Sequence, residues 1–152
     1  PPVLVKIAPD LADDGLAALV ETCIDEGVQG LIVYNTTVTR PPGLHSPHAR
    51  EAGGLSGAPL FSLATRMLAR AFLLARGRLV LIGVGGVASG ADALTKIRAG
   101  ASLVQLYTGF AFAGPALIPR LKRELAAGLR RDGFTRIQDA IGSTAAQLAG
   151  FA

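Results

Sequence analysis

Short apolar runs alternate with amphipathic segments along this chain. Four runs are almost continuously apolar: residues 3–8, 30–35, 79–84 and 102–107. Four further segments carry apolar residues at helical spacing: about 11–26, 60–75, 91–99 and 116–131. Continuous apolar strands are typical of a parallel sheet, whereas strands that face water on one side alternate. The pattern therefore predicts an α/β fold built from four strand–helix units.

Two architectures fit four such units. One is a small doubly wound sheet, and the other is half of a (β/α)8 barrel of the TIM type, since a complete barrel typically needs about 250 residues and this chain has 152. Half of the residues are apolar, the mean hydropathy is +0.43 and 17% of the residues are charged, which excludes a disordered or fibrous protein. The choice between the two architectures depends on the chemistry of the strand ends.

The composition bears on the cellular compartment of the protein and on the classes of partner that it could bind. The single cysteine cannot form a disulfide framework, so a cytoplasmic location is expected. The net charge of +4 comes from scattered basic residues in a chain without tryptophan, so nucleic acid is not predicted as a partner. Cys23 lies on the apolar face of the first predicted helix and is assigned to the core.

Polar or glycine residues follow each of the four predicted strands. Ligands bind at the carboxyl ends of strands in both candidate architectures. A single Asn, Thr or Gly at a strand end is commonly only a turn residue, but recurrence at four ends predicts a shared ligand site. These strand-end residues are Lys6; Asn35, Thr36 and Thr37; Gly83, Gly85 and Gly86; and Tyr107, Thr108 and Gly109.

The glycine-rich segment after the third strand has two interpretations. Residues 83–88 fit the dinucleotide fingerprint G-x-G-x-x-A, but that fold also needs an acidic residue about 20 residues later, where this chain has Tyr107 and Thr108. The alternative is the phosphate site of a barrel, formed by the loops after its last two strands and by a helix N-terminus. The helix that follows Ser89, with Ser89 as its N-cap, is expected to stand behind that site.

The long connection from Thr37 to Pro59 is expected to be either functional or disordered, because loops of this length are usually one or the other. It contains His45 and His48, but Pro47 between them argues against a helical pair of ligands, and no third ligand is near. No metal site is predicted.

Five strings in the sequence share one resemblance: VKIAPDL at 5–11, NTTV at 35–38, GGLSG at 53–57, IGVGGV at 82–87 and RAGASLVQLYT at 98–108. In this order and spacing they resemble the dihydroorotate dehydrogenase family, and within it the quinone-dependent class. The resemblance implies a (β/α)8 barrel with FMN at the top of the barrel. Residues 1–142 would be its C-terminal (βα)4 half, and residues 143–152 a C-terminal tail.

The resemblance also implies roles for individual residues. Asn35 and Thr36 would bind the orotate ring, and the charge of Lys6 would stabilise the reduced flavin. Tyr34 stands where the family usually has threonine, so its phenol is expected to point elsewhere or to crowd the flavin. The implied cofactor-binding residues are Lys6, Tyr34, Ser56, Gly57, Gly85, Gly86, Tyr107 and Thr108.

The implied reaction is the FMN-dependent oxidation of dihydroorotate to orotate in pyrimidine biosynthesis, with quinone as the electron acceptor. The catalytic base of this class is a serine of the other half of the barrel, so no catalytic residue is assigned here. The resemblance implies that the intact enzyme is peripheral to the inner (plasma) membrane, and that its N-terminal region meets the quinone. The chain alone is expected to be an inactive fragment that pairs with the N-terminal half or with itself. A dinucleotide-binding module and a non-catalytic half-barrel remain as alternatives.

Overall fold

Four parallel strands form one sheet in this computed structural model, which describes residues 1–150. The strands are β1 (Leu4–Ile7), β2 (Gly30–Val33), β3 (Val80–Gly83) and β4 (Leu103–Val104). They pair in the order β1-β2-β3-β4, with Leu4 opposite Gly30 and Gly30 opposite Val80. The four predicted strands are confirmed, and they lie side by side in the order in which they occur in the chain. A doubly wound sheet reverses its strand order, so this topology is that of part of a barrel.

Seven α-helices accompany the sheet in the described part of the chain. Four match the predicted ones: α1 (Asp13–Asp25), α2 (Phe61–Ala75), α3 (Gly90–Arg98) and α5 (Leu117–Arg131). Three short helices were not predicted: α4 (Thr108–Ala113), α6 (Ile137–Ala140) and α7 (Ala145–Ala149). A 3-10 turn at Ala58–Leu60 leads directly into α2.

The core lies between the sheet and the helices, and the opposite sheet face is open. Leu31 of β2, Leu81 of β3 and Leu68 of α2 are at most 1% exposed. Side chains alternate between the two faces of a strand, and those directed away from the helices are accessible: Val80 is 45% exposed and Leu103 is 59% exposed. The sheet therefore has one packed face and one face that a complete barrel would enclose.

Helix α2 is the centre of the helix layer. Together with the preceding turn, Ala58–Ala75 is long and apolar enough to span a membrane by composition, the one such helix among residues 1–150. Within the fold, however, Leu68, Ala69 and Ala71 of this helix have no exposed surface. Its apolar surface is thus used for packing, which is the ordinary pattern of a core helix.

Helix α7 packs against α2. Ala145 and Ala149 are buried in the core, and Nε of Arg70 donates a hydrogen bond of 3.1 Å to the carbonyl of Ala149. The segment 143–152, predicted to be a C-terminal tail, thus contributes a helix to the main core. Residues 151–152 of that segment lie outside the described residues.

Candidate functional site

A cleft of about 280 Å³ lies at the carboxyl ends of the four strands. Parallel strands end at the same edge of a sheet, so the loops that follow them meet there. The structure brings every predicted site residue to this cleft: Lys6, Tyr34, Asn35, Thr36, Ser56, Gly57, Gly85, Gly86, Tyr107 and Thr108. Residues as far apart in the chain as Lys6 and Thr108 therefore share one ligand-sized space.

The polar side chains in the cleft differ in exposure. Lys6, Asn35 and Thr36 are exposed, so the cost of burying an ammonium inside an apolar strand does not arise for Lys6. Tyr107 is 84% exposed, whereas Thr108 is half-buried and its Oγ1 donates a hydrogen bond of 3.0 Å to Oγ of Ser56. The cleft thus contains exposed polar side chains at the ends of β1 and β2 and a hydrogen-bonded pair of hydroxyls.

Three glycines shape the other wall of the cleft. Gly57, Gly85 and Gly86 have φ angles of +78°, +98° and +75°, a region that residues with a Cβ rarely adopt. A Cβ on Gly86 would lie 2.5 Å from Cβ of Phe61, and a Cβ on Gly57 would lie 3.2 Å from Cγ2 of Thr108. Both the conformation and the space therefore require glycine at this wall.

The backbone N–H groups of these glycines are unpaired. Within residues 1–150, the N–H groups of Gly57, Gly85 and Gly86 are not donated to any protein acceptor. Successive N–H groups in a glycine turn form a concave donor site that suits an anion such as a phosphate. The cleft therefore contains a backbone cradle of the predicted kind.

The N-terminus of α3 is occupied by the protein's own side chains. Oγ of the N-cap Ser89 accepts a hydrogen bond of 3.1 Å from the N–H of Asp92, as predicted. The carboxylate of Asp92 accepts the N–H of Ala88 at 3.0 Å, and that of Glu124 accepts the N–H of Gly90 at 2.7 Å. The carboxylates of Asp92 and Glu124 therefore lie at the helix end that is expected to stand behind the phosphate site.

The phenol of Tyr34 points away from the open face of the sheet. The residue follows a cis peptide bond after Val33, and its side chain is 1% exposed. Burial raises the pKa of Tyr34 above its ordinary value, with opposing contributions from Arg70, which lowers it, and Asp13, which raises it. These two residues belong to α2 and α1, so the phenol lies toward the helix layer. This orientation corresponds to the first of the two expectations for Tyr34, in which the phenol points elsewhere.

Asp10 anchors the loop that follows β2. Its carboxylate accepts hydrogen bonds from Oγ1 of Thr37 at 2.5 Å, from Oγ1 of Thr39 at 3.1 Å and from the N–H of Val38 at 3.3 Å. Desolvation by burial would raise the pKa of Asp10, but these hydrogen bonds outweigh it and lower the pKa below its usual value. Asp10 thus fixes the chain directly after Asn35 and Thr36.

Arg40 holds the far part of the same loop. Its Nη2 donates to the carbonyls of Glu51 and Gly53, both at 2.7 Å, and its Nε donates to the carbonyl of Ala49 at 3.0 Å. A two-residue antiparallel bridge between Thr37 and Leu55 closes the loop at its base. The roles of Asp10 and Arg40 were not predicted, since their partners lie on other parts of the chain and only the folded loop brings them together.

The side chains considered as metal ligands or as a nucleophile lie outside the cleft. Nδ1 of His48 contacts the carboxylate of Glu51, and residues 1–150 contain no group of three His, Cys, Asp or Glu side chains that could hold a metal. Cys23 is buried in α1, and burial raises the pKa of its thiol. These residues do not contribute to the cleft.

Comparison with known proteins identifies the family. A family model described as dihydroorotate dehydrogenase matches residues 1–129. The chain belongs to the dihydroorotate dehydrogenase family. It is 58% identical to a dihydroorotate dehydrogenase (quinone) of Azorhizobium caulinodans over 143 residues. It is 56% identical to a mitochondrial dihydroorotate dehydrogenase (quinone) of Oryza sativa over 144 residues. These matches cover 94% of this chain, but only 40% and 31% of the two relatives.

Solved structures of the family share the fold. The crystal structure of Eimeria tenella DHODH in complex with ferulenol superimposes with a TM-score of 0.91 at 41% identity. The ligand-free form of that protein gives the same values. The matches cover 94% of this chain and 38% and 40% of the two solved chains. The four-stranded sheet therefore corresponds to part of a dihydroorotate dehydrogenase barrel.

Proposed function

We propose that this chain supplies the FMN-phosphate site and part of the orotate site of a quinone-dependent dihydroorotate dehydrogenase. The observation that carries the proposal is the cleft at the strand ends. Predicted cofactor and substrate residues from all four strand ends line it, and the N–H groups of three of them have no acceptor among residues 1–150. A dinucleotide-binding module is disfavoured, because the strands run in sequential order.

The residues of the cleft fit a flavin nucleotide. The N–H groups of Gly57, Gly85 and Gly86 would bind the phosphate, because backbone donors can approach an anion closely only where no Cβ intervenes. The Ser56 and Thr108 hydroxyls and the Tyr107 backbone border the same cradle. Lys6 would face the flavin ring from β1. The backbone of Tyr34 would contribute to the cleft, since its phenol is turned away.

Asn35 and Thr36 would orient the substrate. Both side chains are exposed beside Lys6 in the same cleft, and an amide with a hydroxyl provides the donors and acceptors that a carboxylated pyrimidine ring needs. When bound, FMN supplies the acceptor for the hydride that leaves dihydroorotate as orotate forms. The chain would bind and orient both molecules, and no residue of it is assigned as the base that removes the accompanying proton.

The remaining parts of the proposal concern the intact enzyme. Residues 1–142 would form the C-terminal half of the barrel, and residues 143–152 would follow it. The quinone would bind through the N-terminal region, and the enzyme would be cytoplasmic, act in pyrimidine biosynthesis and lie peripheral to the inner (plasma) membrane. The names of the relatives, dihydroorotate dehydrogenase (quinone), support the choice of acceptor.

A complete barrel tests the proposal. We define it as this chain joined to the part of the Azorhizobium caulinodans relative that the chain does not cover. It should retain FMN, measured by the visible absorbance of the purified protein, and should oxidise dihydroorotate with a soluble quinone. Asn35→Ala should reduce turnover while FMN is retained. A complete barrel that folds but binds no flavin would contradict the proposal.

The chain alone is expected to be inactive and to associate with itself. Val80 and Leu103 are accessible on the open face of the sheet, and β1 and β4 each have one unpaired edge. Unpaired strand edges and exposed apolar faces favour association. Light scattering of the 152-residue chain should give a mass above that of a monomer. Turnover of dihydroorotate by the isolated chain would show that the assignment of the base to the other half is wrong.

A further inference from the structure

Lys96 is completely buried, although it belongs to the residue type that is normally the most exposed. Its side chain has no exposed surface. Nζ donates hydrogen bonds to Oγ1 of Thr65 at 2.8 Å and to the carbonyl of Phe61 at 3.4 Å, and it lies 4.7 Å from the centre of the Phe61 ring. The hydroxyl of Thr65 donates its own proton to the Phe61 carbonyl at 2.7 Å, so it offers a lone pair to Lys96. All three partners are acceptors, as an ammonium group requires.

This ammonium lies directly behind the glycine turn of the cleft. Phe61 is the first residue of α2, and its backbone packs against Gly86: a Cβ on Gly86 would lie 2.8 Å from Cα and 2.9 Å from N of Phe61. Lys96 does not line the cleft. A single residue, Phe61, therefore contacts both the buried ammonium and the glycine turn at Gly86.

The protonation of Lys96 is expected to increase when an anionic ligand binds nearby. Burial lowers the pKa of Lys96 to about 7, and Asp92, one turn earlier on α3, acts in the opposite direction. The residues that contact Lys96 from other elements are uncharged: Thr65 and Phe61 of α2 and Gly83 of β3. Among residues 1–150, Asp92 is therefore the charged group that acts on the pKa of Lys96. A lysine near neutrality gains protons when an anion binds close by.

We propose that Lys96 is a positioning residue of the phosphate cradle, whose buried ammonium strengthens phosphate binding across Phe61 without touching the phosphate. The proposal rests on the phosphate-binding role proposed above for Gly57, Gly85 and Gly86. The N-terminus of α3 does not supply this charge, because Glu124 accepts the N–H of Gly90 and Ser89 accepts that of Asp92. In an interior of low dielectric constant a charge acts beyond contact distance. Binding and protonation are linked: if a bound phosphate favours the protonated form of Lys96, then protonated Lys96 increases the affinity for phosphate by the same factor.

FMN and riboflavin differ only in the phosphate, so a comparison of their dissociation constants isolates the effect of Lys96 on phosphate binding. In the complete barrel, Lys96→Met should raise the dissociation constant of FMN on the order of tenfold, while that of riboflavin changes less than about twofold. Lys122→Met is the matched control, since it removes an exposed ammonium from α5 and should change neither constant. Equal weakening of both flavins by Lys96→Met would overturn the proposal, because it would indicate packing alone.

The wild-type protein provides a second test that needs no variant. A phosphate monoester is fully ionised above about pH 7, so between about pH 7 and 9 the riboflavin-to-FMN ratio of dissociation constants should fall as Lys96 loses its proton. Lys6 would face the ring that both flavins share, so its effect cancels in the ratio. A ratio that stays constant over this pH range would overturn the role of Lys96 but not the proposed phosphate site. FMN binding no tighter than riboflavin binding at pH 7 would overturn the proposed phosphate site and this inference with it.

Discussion

Replacing Gly86 by alanine is the sharpest perturbation of the cleft. Two costs arise at once: the φ angle of +75° disfavours any residue with a Cβ, and the new methyl group would lie 2.5 Å from Cβ of Phe61. The contact involves backbone as well, since Cα of Phe61 would lie at 2.8 Å. Phe61 cannot swing away without moving the start of α2, so the glycine turn or the helix has to shift.

The two costs can be separated by a matched variant. Gly133 has a similar φ of +81°, but no heavy atom lies within 4 Å of a Cβ placed on it. The conformational term should cost both variants roughly 1–2 kcal/mol. The steric term falls on Gly86→Ala alone and adds about 1–3 kcal/mol, which is typical of overpacking.

Urea unfolding and flavin retention measure the two consequences. In the complete barrel, Gly86→Ala should lower the free energy of unfolding by about 1–3 kcal/mol more than Gly133→Ala does. It should also lose FMN, because the displaced turn no longer presents its N–H groups, whereas Gly133→Ala should retain it. Equal losses of stability would refute the rigid contact with Phe61. Full FMN retention by Gly86→Ala would refute the cradle.

Three further predictions concern the scaffold of the site. Leu68→Ala should lower the free energy of unfolding by about 2–5 kcal/mol, because Leu68 is fully buried, whereas Leu73→Ala, at a position 36% exposed, should cost much less in the same urea titration. Ser89→Ala should cost about 1 kcal/mol through loss of the α3 N-cap, while thermal unfolding of Ser62→Ala, an exposed position in α2, should be nearly unchanged. The hydrogen bonds that lower the pKa of Asp10 contribute stability above its unfolded-state pKa, and this contribution is lost as the pH falls through the lower folded-state value. The stability of the wild type should therefore fall toward that of Asp10→Asn below about pH 4, and parallel pH profiles of the two proteins would contradict this.

The elements that could be predicted are those whose sequence carries its own periodicity. The strands are uninterrupted apolar runs, and helices such as α5 (Leu117–Arg131) repeat apolar residues at helical spacing. Helix α4 (Thr108–Ala113) has neither signal, since it is six residues long and lacks a side-chain cap. Its Phe112 is 89% exposed, so no buried face marks it as a helix. Short helices of this kind depend on their surroundings.

The lysines illustrate what a single sequence cannot provide. Lys6 attracts attention because it interrupts an apolar strand, yet it is exposed on the open face of the sheet. Lys96 sits among polar and charged neighbours on α3 and resembles an ordinary surface lysine, yet it is buried. The difference arises from the packing of α3 on α2, which brings Thr65 and Phe61 within hydrogen-bond distance of Nζ. Such acceptors come from 31 and 35 residues away in the chain, and no local pattern encodes them.

The two parts of the proposed site depend differently on the rest of the barrel. The glycine turn is held by Phe61, and the loop after β2 is held by Asp10 and Arg40, so both are fixed by contacts inside this chain. Lys6, Asn35 and Thr36 stay exposed on the open side of the cleft, where residues from outside this chain would have to exclude water. Phosphate affinity should therefore follow interactions within these residues, such as that of Lys96 with Phe61. Turnover should instead follow how completely the remainder of the barrel covers the open face.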